Sequence, residues 1–186
     1  MKNIADLLFE AKMLKEIPRS GYHFLGVGKE SVAEHSFMTA FIGFVMARTV
    51  PDVDGPRLVY MCLVHDLPES RTGDMNYVQK KYVTANESAA VSDTVRDLPF
   101  GEFLTDLIAK FNERNTLEAR LAHDADQLAL ILELKGLEDI GYTTPKKWIP
   151  HVLTRLLTET GRELAGQIMA SNRDTWWLEN YIDKPD

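Results

Sequence analysis

The chain holds one cysteine, Cys62, among 186 residues. A single thiol cannot form an internal disulfide, and a zinc cluster built on several cysteines is excluded. A reducing, cytoplasmic setting is therefore expected. Positive charge is also scarce: 21 Lys and Arg against 28 Asp and Glu leave a formal charge of −7. Neutralising a phosphate backbone takes a basic stripe, so a nucleic-acid polymer is not the expected partner. A small anion remains compatible, provided a metal and a few local cations gather it. No window approaches the ~20 uncharged apolar residues of a membrane span, so no membrane partner is expected. The opening MKNIADLLFEAKMLKEIPRSG mixes acidic residues into its apolar stretch and offers no small-residue cleavage site. It does not read as a signal peptide.

Sustained β-alternation, fixed-period repeats and low-complexity tracts are missing as well. So are a glycine-rich phosphate loop, a G-x-S-x-G elbow and a dinucleotide fingerprint. What remains is an all-α fold. The length suits one domain with one core, and 45% hydrophobic with 26% charged residues is ordinary globular composition.

Helical spacing of Ile4, Leu7, Leu8, Ala11, Met13 and Leu14 predicts a first helix closed by Pro18. Ser20 to Lys29, with Gly21, Gly26 and Gly28, reads as a loop. Ser31 and Glu34 have capping-box spacing ahead of the apolar run Phe37 to Val50, which puts His35 near the start of a buried helix. Pro51 to Pro56 reads as a connector, and Leu58 to His65 as a short apolar helix that Pro68 ends or bends. Glu69 to Ala85 is polar and reads as a loop over the site. Three further helices are expected over 87–96, 103–114 and 117–137, then one or two over 148–169. Trp176 and Trp177 are expected to pack the tail, and Trp148 with them to serve as a core or interface aromatic rather than a base-stacking platform.

The chemistry concentrates on His65-Asp66 in MCLVHDLPES, with His35 in VAEHSF upstream and HDADQ downstream. Imidazole and carboxylate are the donors a borderline divalent cation takes. An Asp buried beside a His on an apolar helix is costly unless it is paired or metal-bound. His35, His65, Asp66 and Asp126 have the spacing of a mononuclear metal site. Asp124 competes with Asp126 for the last place, and His123 shares the face of Asp126. Glu69 follows Asp66 by three residues and His65 by four, so a continuing turn brings it to the same side, where a general acid or base would act.

These motifs, PRSGY, ESVAEH, LVHDLPES, GD and ADQ in that order from about Pro18 to Gln127, resemble the HD-domain metal-dependent phosphohydrolases. Within them the chain is most similar to the YfbR-like 5′-deoxynucleotidase branch. The resemblance implies a single HD-domain helical bundle over 1–186, with a motif-bearing core at about 18–140 and C-terminal helices over 144–182. It implies one divalent ion, Mn²⁺, Co²⁺ or similar, held by His35, His65, Asp66 and Asp126, the pattern favouring Asp126 over Asp124. Only His123 lies between the dyad and the last Asp, which favours one metal over two. By the same resemblance Glu69 is the general acid/base, Asp74 helps hold the sugar or orient the reacting groups, and Arg19 grips the phosphate. Where family members carry Trp close behind that Arg, this chain has Ser20-Gly21-Tyr22. Tyr22 either stands in for that contact or the contact is missing.

The implied function is release of phosphate from (deoxy)nucleoside 5′-monophosphates by attack of a metal-activated water. The alternatives are hydrolysis of another phosphate ester, such as a nucleoside triphosphate, cyclic nucleotide or non-nucleotide metabolite, and a non-catalytic, metal-stabilised ligand-binding domain. A homodimer is left open.

Overall fold

The computed structural model describes residues 2–181, and among these the regular structure is helical. The helices are α1 (Lys2–Met13), α2 (Tyr22–Leu25), α3 (Val32–Thr49), α4 (Gly55–Val64), α5 (Glu69–Thr72) and α6 (Tyr77–Tyr82). They are followed by α7 (Glu87–Thr94), α8 (Gly101–Glu113), α9 (Leu117–Asp139), α10 (Pro145–Leu153), α11 (Glu159–Ala170) and α12 (Thr175–Tyr181). No described helix is long and apolar enough to cross a membrane.

α9 is the axis of the bundle. Its Ala119, Leu121, Ala122, Ala125, Leu128, Ala129, Ile131 and Leu134 are all buried, and α3, α4, α8, α10 and α11 pack around it. Alanines on several faces let those neighbours come close, so acids on α9 can reach side chains of α3 and α4. α3 and α4 approach closely at Gly43, where a Cβ would lie 2.6 Å from Cys62 Sγ. A side chain there would force the two helices apart. Because Gly43 is two turns beyond His35 and Cys62 is one turn before His65, this contact sets the spacing of the two imidazoles.

Side-chain caps fix where the site helices begin. Ser31 Oγ accepts from Glu34 N while Glu34 Oε2 accepts from Ser31 N, the capping box expected from sequence. Asp54 caps α4 through Arg57 N, and Thr116 caps α9 through Ala119 N. Such caps contribute about 1 kcal/mol each. A β-bridge between Pro18 and Ser31, with Arg19 N donating to Glu30 O at 2.8 Å, closes the base of the loop between α1 and α3.

Several expectations need correction. The segment from Ser20 to Lys29 contains the single-turn α2, and Glu69 to Ala85 contains α5 and α6. Helices of one or two turns show no apolar period, and α6 rests on a polar capping box between Asn76 and Gln79. Pro56 starts α4 rather than ending a connector, as the fixed φ of proline allows in a first turn. The run after Phe37 is not buried throughout: Phe37, Phe41 and Phe44 are exposed on one face of α3. Trp176 and Trp177 are 72% and 37% exposed, so neither is a core residue.

Candidate metal centre and its cleft

The start of α3, the end of α4 and the middle of α9 meet at one point. Ligand atoms of His35, His65 and Asp126 lie within 4.8 Å of one another, both histidines buried. His35 Nε2 is 2.8 Å from Asp126 Oδ1 and 4.0 Å from Asp66 Oδ2. His65 Nε2 is 3.2 Å from Asp66 Oδ2. Asp66 stands beside this three-residue cluster and divides its carboxylate between His65 and Arg19, whose Nη1 is 3.4 Å from Oδ2.

The donors fit a divalent cation on an observation independent of resemblance. His65 Nδ1 lies 2.9 Å from the carbonyl oxygen of Cys62, so Nδ1–H donates there and Nε2 keeps its lone pair. That buried Nε2 makes no hydrogen bond in the structure, although Asp66 Oδ2 lies 3.2 Å away. A buried nitrogen left unpaired is costly. An ion among His35, His65 and the two carboxylates would satisfy it. Without a metal, burial opposes ionisation of Asp66 while His65 in its cationic form, Arg19 and His35 lower its carboxyl to about 2, a compensation that a divalent cation would supply once the imidazoles are neutral ligands. Burial also opposes ionisation of Asp126, but the hydrogen bond with His35 and the nearby His65 and Arg19 hold it far below the usual carboxylate range.

The cluster opens into a cleft of about 650 Å³, within the usual range for small-molecule sites. Glu69, on the first turn of α5, lines it. Burial, reinforced by Asp66 and Asp74, pushes the Glu69 carboxyl up to about 9, and its buried Oε2 has no partner. Arg19 lies on the same wall, its Nη1 shared between Asp66 and Asp74 Oδ1 at 3.3 Å. Asp74 also accepts from Ser20 N at 2.6 Å and Ser20 Oγ at 2.8 Å. Its carboxylate is thus occupied in pinning the Arg19-Ser20 loop against the segment between α5 and α6.

Tyr22 lines the cleft with its ring, and its hydroxyl points away toward Glu30 at 3.3 Å and Glu133 at 3.5 Å. Gly28, at φ +77°, backs that ring; a Cβ there would be 2.9 Å from Tyr22 Cε1. His123 lines the cleft but is outside the three-residue cluster. Asp124 points elsewhere: it is fully buried and accepts from Leu157 N, Thr158 N and Thr158 Oγ1.

Sequence reasoning gave no site role to three residues here. Gln127 Nε2 donates to Asp126 Oδ2 at 2.7 Å, which fixes that carboxylate's rotation. Arg155, between α10 and α11, reaches Gln127 Oε1 at 3.5 Å and lies over the Tyr77 ring, 4.8 Å from its centroid. Trp148 of α10 also lines the cleft. The only sequence signal was the place of Gln127 within HDADQ.

Comparison with known proteins gives the same outline. The 5′-deoxynucleotidase hdd1 of Schizosaccharomyces pombe is 26% identical over 160 residues, 76% of this chain and 80% of that protein. The 5′-deoxynucleotidase HDDC2 of Dictyostelium discoideum is 28% identical over 145 residues, 72% of this chain and 76% of that one. Among solved structures, a conserved hypothetical protein of Pyrococcus furiosus superposes with a TM-score of 0.73 at 26% identity, covering 90% of this chain and 99% of its own. The family model for the HD domain matches residues 11–165. With that match spanning all three elements that meet at the candidate metal centre, the chain belongs to the HD-domain family.

Proposed function

We propose that the protein is a metal-dependent phosphohydrolase that releases phosphate from nucleoside 5′-monophosphates, as the names of its two 5′-deoxynucleotidase relatives suggest. The observation that carries the reading is a three-residue His/Asp cluster with an unpartnered imidazole nitrogen, set in a cleft that also holds Arg19 and Glu69. His35, His65, Asp66 and Asp126 would hold one ion, Mn²⁺, Co²⁺ or similar given the nitrogen and oxygen donors. When bound, it supplies Lewis-acid charge to the phosphoryl oxygens and makes water more acidic.

The chain's own residues do the rest. Arg19 offers Nε and Nη2 to the phosphate while Asp66 and Asp74 hold Nη1. Water adds to phosphorus, the ester P–O bond breaks, the Glu69 carboxyl gives its proton to the leaving oxygen, and a proton from the attacking water restores that carboxyl through the phosphate product. Asp74 acts through the loop it pins, and Gln127 keeps Asp126 turned toward His35. A binding domain without catalysis would have little use for a buried carboxyl with an unpaired oxygen, and Glu69 is such a group.

The test is phosphate release by metal-reconstituted protein on a panel of nucleoside mono- and triphosphates, cyclic nucleotides and sugar phosphates. Nucleoside 5′-monophosphates are expected to give the highest kcat/KM. A higher value for another class moves the assignment there, and no release from any ester with metal bound leaves the ligand-binding alternative.

Arg19 provides a second check. Arg19→Ala is expected to lower kcat/KM at least tenfold, equal to about 1.4 kcal/mol, with metal content unchanged. Arg19→Lys should recover only part, because an ammonium lacks the planar fork. A loss under about threefold in the Ala variant is too small for a buried phosphate contact and rejects that role.

A further inference from the structure

α10 docks on α9 through the buried stripe Pro145, Ile149 and Val152. Trp148 sits at the edge of that stripe, half-buried, where its ring meets the loop that carries Arg19. A Cβ on Gly21 would lie 3.7 Å from Trp148 Cζ3 and 3.8 Å from Cη2, so the indole closes over bare backbone two residues past Arg19. Tyr22 is next in the loop. Gly28 holds its ring from behind, and its hydroxyl is turned away to Glu30 and Glu133. Leu25 and Leu130 also line the cleft.

The cleft therefore has two unlike ends joined by one loop. One carries Arg19, Glu69 and the candidate metal ligands. The other, one step along the chain, carries the aromatic rings of Tyr22 and Trp148. A nucleoside phosphate has the same layout, an anion at one end and a flat π-surface at the other. We infer that Trp148, with Tyr22 beside it, forms the wall on which the nucleobase stacks, and that this wall sets the preference for nucleoside phosphates over sugar phosphates. The inference rests on the nucleotide reading above and extends it to a residue far from the HD motifs. Stacking reads a π-face rather than a base edge, so purines and pyrimidines both depend on the wall.

The test compares wild type, Trp148→Leu and Trp148→Phe on a purine and a pyrimidine nucleoside 5′-monophosphate and on ribose 5-phosphate. Leu keeps apolar bulk and removes the π-face; Phe keeps a smaller one. Trp148→Leu is expected to raise KM for both nucleotides about tenfold with kcat within about threefold, a factor worth about 1.4 kcal/mol. The ratio of kcat/KM for nucleotide over ribose 5-phosphate should fall by a similar factor. Trp148→Phe should regain most of it.

Equal losses on all substrates, or an unchanged ratio, overturn the inference. If wild type cleaves ribose 5-phosphate and no nucleotide, the nucleotide reading itself has failed, which is a different result. A second measurement needs no turnover and no Leu variant. Free nucleoside should quench the intrinsic fluorescence of wild type, and that quench should be lost in Trp148→Phe. A quench of the same size in both proteins counts against the wall even if Trp148→Leu does not fold.

Discussion

Glu69→Gln is expected to lower kcat by about two to four orders of magnitude while the protein keeps its metal. The amide has nearly the shape of the carboxyl but cannot give up a proton to a leaving alkoxide. The size of the effect follows from where Glu69 sits. It is on the first turn of a short helix, its backbone N–H donates to Asp66 O, and its Oε2 is buried without a partner. Burial and the neighbouring Asp66 and Asp74 raise its carboxyl, which favours the protonated state an acid catalyst needs. A purely structural first-turn acid would behave otherwise. Its favourable interaction with the helix dipole is worth about 0.3–1 kcal/mol and concerns stability rather than turnover. The measurement is kcat with metal content determined on the same sample. Activity within about tenfold of wild type, with metal retained, removes Glu69 from the reaction.

The parts of the molecule legible in the sequence were those written in local patterns. The Ser31/Glu34 capping box places the start of α3, and with it His35, to the residue. The long periodic stretch after Thr116 is α9, the helix that carries Asp126. Patterns of one or two turns are not legible: α2, α5 and α6 look like loop in the sequence because so few residues cannot display a period of 3.6. Nor could an apolar run reveal its own exposed side. α3 is apolar nearly all round, so Phe37, Phe41 and Phe44 could not be told from the buried Ile42 and Met46 without the neighbours that cover one face.

Within the site, residue types and spacing indicated which side chains share a chemistry but not how each is used. Asp66 and Asp74 both reach Arg19, and Asp74 grips Ser20 across 54 positions of sequence. Trp148, Gln127 and Arg155 enter the cleft from the C-terminal half through the packing of α10 and α11 on α9. Contacts of that range depend on helix packing, which no local motif encodes.

The sharpest division of roles lies between two acids only two residues apart. Asp126→Ala is expected to strip the metal and abolish turnover with the fold intact, whereas Asp124→Ala should keep the metal and lose stability. Both are acids of the HDADQ segment on α9, Asp124 fully buried and Asp126 facing the cleft, because their side chains leave the helix in different directions. Asp126 Oδ1 is 2.8 Å from His35 Nε2, inside the cluster of histidine and carboxylate donors. Asp124 is turned to the junction of α10 and α11, where Leu157 N at 2.7 Å, Thr158 N at 2.8 Å and Thr158 Oγ1 at 2.6 Å all donate to it. Gly161 packs so tightly on that carboxylate that any side chain there would collide with it.

Removing Asp124 leaves buried donors unpaired at a junction, and hydrogen bonds to a charged group contribute about 1.5–3 kcal/mol each. A net loss of about 3 kcal/mol is expected, which lowers Tm by roughly 6–12 °C in a chain of this size. Removing Asp126 takes one carboxylate from the ion and leaves His35 and His65 without the charge that offsets their burial beside a cation. Metal content after dialysis and thermal unfolding of the metal-free proteins separate the two effects. If Asp124→Ala sheds the metal and Asp126→Ala holds it, the ligand assignment on α9 is reversed. If both hold it, the ion rests on the two histidines and Asp66 alone.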